Sequence, residues 1–253
     1  MPHQSVEQVI EWLKAQLKES HARGYVLGVS GGLDSAVCAA LIKKATENCL
    51  GLVLPIESSV DDCDDAAKVG TTFDLKTEYI DLTSVYNAMI KLLPGNEQVA
   101  QGNIKARLRM VVLYYYANLH NYLVCGTGNK TELMLGYFTK FGDGASDVLP
   151  LGDLYKYQVR EIARNLGVPE NIIDKVPSAG LWQGQTDEGE IGFSYEEMDR
   201  TLKDINACQA SGDCAEKLRN MIAQNEHKRK PPKICLIKTD GRDQKSDASE
   251  GGG

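Results

Sequence analysis

Several features common in proteins are missing from this 253-residue chain, and each absence excludes a class of function. No apolar run approaches the roughly 18 residues of a transmembrane helix, and the N-terminal segment lacks a signal-peptide core. The seven cysteines include no Cys-x-x-Cys pair, which argues against a zinc ribbon, an iron–sulfur cluster or a redox dithiol. The net charge of −7 argues against a broad nucleic-acid-binding surface. We therefore expect a cytoplasmic protein with neither a membrane nor a nucleic acid as partner.

The composition that remains is ordinary for a globular protein. Apolar residues make up 42% and charged residues 25% of the chain. The length suits one large α/β domain, which we place at residues 1–238. Residues 239–253 are polar and charged and end in three glycines, so we expect a disordered tail there.

A glycine-rich turn follows an apolar run near the N-terminus. Residues 25–29 have the pattern of a buried parallel strand. Ser30, Gly31 and Gly32 then allow a sharp turn, since glycine tolerates positive φ. A predicted helix begins at Asp34 and continues to Lys44. This arrangement aims backbone N–H groups and the positive end of a helix dipole at one point, which predicts a site for an anion such as phosphate.

The same turn lacks the features of the two most common phosphate-binding motifs. It matches neither Gly-x-x-x-x-Gly-Lys-Ser/Thr nor Gly-x-Gly-x-x-Gly. In place of a lysine, Asp34 stands at the start of the helix. An acid beside a phosphate site is reasonable if Mg²⁺ lies between them. The alternative is a simple tight turn in which Asp34 caps the helix.

Apolar runs alternate with amphipathic segments along the rest of the chain. Further strands are predicted at 49–54, 78–82 and 122–125, and helices at 5–19, 58–72, 84–93, 99–119, 156–166, 195–207 and 214–226. This alternation predicts an α/β fold with a doubly wound, mainly parallel sheet flanked by helices. Ligands bind beyond the carboxyl ends of strands in such sheets, so the loops after the first and fourth strands should face one cleft.

Three charged or polar segments need an explanation. The acids Asp61, Asp62, Asp64 and Asp65 are interpreted as favourable charges at a helix N-terminus rather than as metal ligands. The cations Lys105, Arg107 and Arg109 lie near the unfavourable end of their helix, which suggests an anionic partner; a solvated basic face is the alternative. Residues 177–188 are polar and interrupted by glycine, as lids and binding loops often are.

The segment from Ser30 to Ser35 resembles the pyrophosphatase loop of enzymes that cleave ATP between its α and β phosphates. Five downstream segments resemble the NAD synthetase family and occur in that family's order: 102–107, 126–132, 139–151, 177–182 with 185–188, and 227–229. The resemblance covers roughly residues 5–235. It departs from the family at 126–132, where Gly-Thr-Gly-Asn-Lys-Thr-Glu replaces the frequent Gly-Thr-Asp-x-x-x-Glu but keeps the spacing of Thr127 and Glu132.

The resemblance implies a Rossmann-like fold of the ATP pyrophosphatase type and a two-step amidation. In the first step, the carboxylate of nicotinic acid adenine dinucleotide (deamido-NAD) attacks the α-phosphorus of ATP and releases pyrophosphate. Ammonia then attacks the acyl-adenylate and expels AMP, which leaves NAD. Since no segment resembles a glutaminase, ammonia is the expected direct nitrogen donor unless a separate subunit delivers it. The family also implies a homodimer.

Site residues follow from the resemblance position by position. The implied ATP contacts are Gly28, Val29, Ser30, Gly31, Gly32, Leu33, Asp34, Ser35, Thr127, Lys156 and Ser178. Asp34 and Glu132 are the implied Mg²⁺ ligands, and with Lys156 they form the implied catalytic set. The implied contacts with deamido-NAD are Arg107, Lys140, Asp147, His227 and Lys228. An Asp34→Asn variant is expected to lose adenylation with little loss of stability.

Simpler roles remain open for several of these residues. Asp147 would cap the following turn, Ser178 would be a turn residue, and His227 with Lys228 would form a solvated helix end. Trp182 would anchor a lid or contact substrate. Alternative functions are amidation of the mononucleotide, a tRNA-modifying adenylating enzyme, which the acidic charge disfavours, and a nucleotide-binding regulatory module that has lost catalysis.

Overall fold

The structure is a computed structural model that describes residues 2–236, without the side chains of residues 2 and 3. The predicted tail at 239–253 therefore lies outside the described residues. The strands are β1 (Gly24–Gly28), β2 (Cys49–Val53), β3 (Thr77–Tyr79) and β4 (Tyr122–Cys125). The helices are α1 (Pro2–Ser20), α2 (Leu33–Ala45), α3 (Val60–Thr72), α4 (Thr83–Ile90), α5 (Gln98–His120), α6 (Lys130–Leu135), α7 (Lys156–Leu166), α8 (Glu170–Ile173), α9 (Asp187–Ile191), α10 (Tyr195–Asn206), α11 (Asp213–Gln224) and α12 (Glu226–Arg229).

The strands form one parallel sheet in the order β3-β2-β1-β4. Strand β1 lies inside the sheet, where Leu27 pairs with Gly51 of β2 on one side and Cys125 of β4 on the other. The chain winds outward from β1 to β3 and then returns to the other side of β1 to place β4. This order confirms the predicted doubly wound, parallel sheet.

Helices cover both faces of the sheet and create two apolar cores. Tyr25 and Leu27 of β1 belong to a cluster with residues of α1, α2 and α7. Val26 belongs instead to a cluster with residues of β2, α4 and α5. Successive strand residues point to opposite faces. Because both faces are buried, the strands appear in the sequence as continuous apolar runs.

A third apolar cluster supports the C-terminal helices. Tyr195, Met198 and Leu202 of α10 pack there with Leu135 of α6 and Leu218 of α11. Helix α10 also contacts α7. This packing holds α10 close to the starts of α6 and α7, where predicted site residues lie.

Some predicted boundaries differ from the observed ones. Strand β3 ends at Tyr79 rather than at Leu82, and the Asp81 side chain accepts a hydrogen bond from the Thr83 N–H at the start of α4. Helix α4 also ends before the predicted limit, and the last predicted helix divides into α11 and α12 at Asn225. Within the described residues, no helix combines the length and the apolar character needed to cross a membrane.

Candidate active site

The site lies where the strand order reverses, between β1 and β4. The loops that follow these two strands meet at the carboxyl edge of the sheet, as the topology predicts. Asp34 follows β1 as the second residue of α2, and Glu132 follows β4 as the third residue of α6. Two distant segments of sequence thereby place their acids on the same cleft.

The loop after β1 has the conformation that its glycines require. Gly31 has φ of +76°, and a Cβ atom there would overlap the carbonyl oxygen of Asp62 on α3. The Ser30 and Ser35 hydroxyl oxygens lie 3.1 Å apart. Among the described residues, no side chain caps α2 at Gly32. The N–H groups at the start of this helix are therefore available to an anion.

The remaining residues of this loop differ in what they can offer a ligand. The Val29 and Leu33 side chains are buried in the core. Gly28, the last residue of β1, has no side chain. These three predicted ATP contacts can therefore reach a nucleotide only through their backbone.

A buried lysine joins the two acids of the cleft. The Lys156 ammonium is ion-paired with the Asp34 carboxylate and lies 3.6 Å from Glu132 Oε1. It also lies 4.9 Å from the centre of the Tyr195 ring, and Lys156 is only 3% exposed. The catalytic set implied by the sequence is thus in direct contact. We call Asp34, Lys156 and Glu132 the buried cluster.

Glu132 has a structural role as well as its place in this cluster. Its Oε2 accepts a hydrogen bond from the Asn129 N–H, and Asn129 Oδ1 accepts one from the Glu132 N–H. This capping box fixes the start of α6 and leaves Oε1 facing Lys156. Asn129 also contacts Asp34, through an Nδ2–Oδ1 distance of 3.5 Å.

Burial and neighbouring charges shift the pKa values of Glu132, Lys156 and Asp187. Burial raises the pKa of Glu132 to about 8; Lys156 opposes the rise and Asp34 adds to it. Burial alone would lower the pKa of Lys156, but Asp34 and Glu132 outweigh it and raise that pKa. Burial also raises the pKa of Asp187. The site holds more buried acid than base, so an added cation would be favourable.

Sequence reasoning missed two residues that extend this cluster. The Tyr195 hydroxyl donates to Asp187 Oδ2 at 2.9 Å and lies 3.4 Å from Glu132 Oε1. The Tyr137 hydroxyl donates to Glu190 and lies 3.3 Å from Asp187 Oδ1. Asp187 could have been identified as a site residue, because it lies within one of the segments that resemble the family. No sequence pattern identifies Tyr195, because its position in the site depends on how α10 packs.

Thr127 lines a small cavity beside Glu132. The cavity has a volume of about 40 Å³, and its lining includes the polar residues Thr127, Glu132 and Asp143. This volume suits one small molecule. Burial raises the pKa of Asp143, whose carboxylate accepts a hydrogen bond from the Thr139 N–H at 2.9 Å. Asp143 was not among the predicted site residues.

Three of the five residues implied to bind deamido-NAD form a chain of contacts, and Lys228 adjoins it as the residue after His227. Arg107 Nε and Nη2 donate to the Lys140 carbonyl oxygen at 3.3 and 3.2 Å. Lys140 Nζ donates to the His227 carbonyl oxygen at 2.6 Å, and Lys228 Nζ donates to that of Gly136 at 2.9 Å. We call Arg107, Lys140, His227 and Lys228 the basic cluster. These hydrogen bonds end on backbone carbonyls and leave the positive charges unneutralised.

The fifth residue, Asp147, lies elsewhere. Its Oδ2 accepts a hydrogen bond from the Val124 N–H at 2.7 Å, and its Oδ1 accepts one from the Tyr114 hydroxyl at 3.3 Å. Asp147 therefore fixes β4 to the following segment and to α5. This differs from the turn-capping alternative.

Ser178 and Trp182 belong to residues 177–186, which we call the lid loop. The Ser178 hydroxyl accepts a hydrogen bond from the Gly180 N–H at 3.1 Å, as expected for a turn residue. A Cβ atom at Gly102 would lie 3.2 Å from the Trp182 ring, so the indole packs closely on α5. Of the two roles considered for Trp182, this contact supports the anchor.

The basic residues at the start of α5 do not share one anionic partner. Lys105 is buried and pairs with Glu57 at 2.8 Å, and Arg109 Nε donates to the Leu54 carbonyl at 3.0 Å. Only Arg107 is exposed. Residues two apart on an α-helix point about 200° apart. Lys105 thus meets an anionic side chain and Arg107 faces solvent, so neither interpretation describes all three cations.

The chain is similar to known proteins both in sequence and in structure. The profile of the NAD synthase family matches residues 5–232. An NH(3)-dependent NAD(+) synthetase of Carboxydothermus hydrogenoformans is 44% identical over 240 residues, which cover 92% of this chain and 98% of that protein. The corresponding protein of Syntrophomonas wolfei is 46% identical over 248 residues, covering 93% and 97%.

Two solved structures are similar over nearly the whole chain. An NMN synthetase from Francisella tularensis has a TM-score of 0.88 and 39% identity, and the match covers 94% of this chain and 99% of that one. An NH3-dependent NAD synthetase from Campylobacter jejuni has a TM-score of 0.82 and 33% identity, with 93% and 99% covered.

Proposed function

We propose that this chain, which belongs to the NAD synthase family, makes NAD from deamido-NAD, ATP and ammonia and releases AMP and pyrophosphate. The observation that carries the proposal is the meeting of the glycine-rich loop with the buried cluster at the reversal of strand order. This arrangement combines an anion site with fixed charges. A catalytically silent module would have no need of such a cluster.

Adenylation explains why an amide-forming enzyme needs this site. A free carboxylate is a poor acyl donor because its oxygen is a bad leaving group, and transfer of AMP to it corrects this. The N–H groups at the start of α2 would hold the departing pyrophosphate. Lys156 would supply the positive charge that the glycine-rich loop lacks.

Mg²⁺ is proposed to bind between Asp34 and Glu132. Their carboxylate oxygens suit this hard cation, which commonly uses one or two carboxylates together with substrate phosphates. The proposal is supported by the contact of one ammonium group with both carboxylates, which places the two acids within reach of a single cation. The described residues contain no larger group of candidate metal ligands. When bound, the metal would neutralise phosphate charge.

The basic cluster is the proposed site for the anionic part of deamido-NAD. Arg107, Lys140 and Lys228 donate to backbone carbonyls, so their charges remain available to phosphates and a carboxylate. Asp147 remains a predicted contact, although its oxygens are engaged on β4 and α5. Thr127 and Ser178 remain predicted ATP contacts.

A homodimer is the proposed assembly. Val111, Tyr115 and Leu119 of α5 are 67%, 62% and 59% exposed. Their spacing of four residues places them along one side of the helix. An exposed apolar stripe of this kind is typical of a protein interface. We also propose a cytoplasmic location, where the substrates are available.

Amidation of nicotinic acid mononucleotide is the second candidate, since a close structural neighbour is an NMN synthetase. Both reactions activate the same type of carboxylate. Product analysis with each nucleotide, and with ammonia or glutamine as nitrogen donor, tests the choice. We expect faster amidation of the dinucleotide, with ammonia as a direct donor. Faster turnover of the mononucleotide would support the second candidate instead.

A further inference from the structure

Lys175 connects helix α3 and the glycine-rich loop with the segment that leads into the lid loop. Its Nζ lies 2.8 Å from Asp62 Oδ1 and 2.7 Å from Asp65 Oδ2, both on α3. It also donates to the Gly31 carbonyl oxygen at 3.5 Å. Lys175 itself lies between α8 and the lid loop. One ammonium group therefore touches α3 and the glycine-rich loop, and its residue lies two positions before the lid loop.

Helix α3 supports the glycine-rich loop directly. A Cβ atom on Gly31 would lie 3.0 Å from Asp65 Cβ and 3.1 Å from the Ala66 nitrogen. The loop backbone thus packs against the first turns of α3, beside the two acids that hold Lys175. The prediction that acids in this helix act as favourable N-terminal charges holds for Asp61 and Asp62, which lie in the first turn of α3. That prediction did not include the ion pairs of Asp62 and Asp65 with Lys175.

The other end of the lid loop meets the buried cluster. The Asp187 N–H donates to the Pro177 carbonyl oxygen at 3.0 Å, which closes the base of the lid loop. Asp187 in turn accepts a hydrogen bond from Tyr195, whose hydroxyl also lies near Glu132. The residues that flank the lid loop therefore reach the glycine-rich loop through Lys175 and the buried cluster through Asp187 and Tyr195.

We propose that Lys175 is a positioning residue that holds the glycine-rich loop and the base of the lid loop in one arrangement, so that anion binding at the loop and the position of the lid loop are coupled. The inference rests on the proposed function, which places ATP at this loop. Without the ammonium group, two carboxylates would remain unneutralised beside the Gly31 carbonyl. Their charge would oppose an incoming phosphate and loosen the link to the lid loop.

Lys43 provides a matched control for this charge arrangement. Its Nζ also pairs with two carboxylates, Glu47 at 2.7 Å and Asp74 at 3.3 Å. Its side chain is 20% exposed, compared with 29% for Lys175. Lys43 lies in the last turn of α2, at the opposite end from the glycine-rich loop.

Trp182 reports the position of the lid loop. The chain has two tryptophans, so in a Trp12→Phe background only Trp182 remains. We would compare that protein with its Lys175→Met, Lys175→Arg and Lys43→Met derivatives. Each would be titrated with inorganic pyrophosphate and with ATP in the presence of MgCl₂. Trp182 fluorescence would be followed in parallel with calorimetric binding and the unfolding temperature.

We expect Lys175→Met to need about tenfold more ligand for both the binding and the fluorescence response. Lys175→Arg should recover most of this loss, and Lys43→Met should titrate like the parent. KM for ATP should rise in Lys175→Met more than kcat falls.

Three results would overturn the inference. The first is a Lys175→Met protein that binds and responds like its parent. The second is a parent that binds ATP with no change at Trp182. The third is equal losses in Lys175→Met and Lys43→Met, because they would indicate a general effect of removing a paired lysine. A parent that binds no ATP would instead overturn the proposed function.

Discussion

The buried cluster and the basic cluster arrange charge in opposite ways. In the buried cluster, Lys156 is enclosed by carboxylates, and each charge has a charged partner. In the basic cluster, Arg107 and Lys140 donate to backbone carbonyl oxygens and face solvent. Removing one member of the first therefore leaves a buried charge uncompensated, whereas removing one member of the second leaves little unsatisfied.

This difference separates two tasks of the proposed reaction. The buried cluster would act on the phosphates during bond breaking and would also support the fold. The basic cluster would select the dinucleotide and contribute little to stability. Variants in the two clusters should therefore differ in which kinetic constant they change and in how far they lower the free energy of unfolding.

The largest effect is expected from Asp34→Asn. Loss of a metal ligand and of the partner of Lys156 should reduce NAD formation by about 10³-fold or more. Asp34 is only 16% exposed in its side chain, so the substitution should also cost about 2 kcal/mol of stability. The sequence had suggested little loss of stability, because it did not reveal the ion pair with Lys156.

Asp153→Asn is the control for that variant, because Asp153 pairs with Lys130 at 2.7 Å and is 96% exposed in its side chain. It should retain activity and stability. Steady-state assays and denaturant unfolding would measure both. Normal activity in Asp34→Asn would disprove the assignment of this residue.

Lys156→Met should separate the structural part of the buried cluster from the catalytic part. NAD formation should fall by about 10²- to 10³-fold. Without the ammonium group, Asp34 and Glu132 lose their shared cation and the pKa of Glu132 should rise further. Above that pKa, Mg²⁺ alone should therefore stabilise this variant more than the wild type. Thermal unfolding with and without MgCl₂, at equal ionic strength, measures this. An identical Mg²⁺ response in both proteins would argue against a metal site between these acids.

Arg107→Ala should show the contrasting behaviour of the basic cluster. KM for deamido-NAD should rise about tenfold, because a charge-assisted hydrogen bond to the ligand is lost. KM for ATP and the unfolding temperature should change little. Arg200→Ala, which removes an exposed arginine of α10, is the charge-matched control. Equal increases in KM for both substrates would contradict a separate dinucleotide site.

The smallest effect on chemistry is expected from a Val111→Glu, Tyr115→Glu double variant. The two new charges on the exposed stripe of α5 should yield a monomer by analytical ultracentrifugation. Pyrophosphate binding should persist, since the buried cluster lies within one chain. Val60→Glu, on an exposed position of α3, is the control. A stable dimer of the double variant would exclude this face as the interface.

The sheet was predictable because its strands are short apolar runs separated by helical segments. The glycine-rich loop was also predictable, since the positive φ of Gly31 is a local requirement. Contacts between segments that are distant in the sequence were less predictable. Resemblance to a family brought Asp34, Lys156 and Glu132 together, but no local pattern indicates that Tyr195 reaches Glu132 or that Lys175 reaches Asp62. Those contacts depend on how α10 and the segment after α8 pack.

An isotope-transfer experiment tests the central claim most directly. Deamido-NAD labelled with ¹⁸O in its nicotinate carboxylate would be converted with ATP, MgCl₂ and ammonia, and the products examined by mass spectrometry. If the carboxylate attacks the α-phosphorus at this site, one ¹⁸O atom should appear in AMP and none in pyrophosphate. Formation of ADP and labelled phosphate, or AMP without label, would contradict the account.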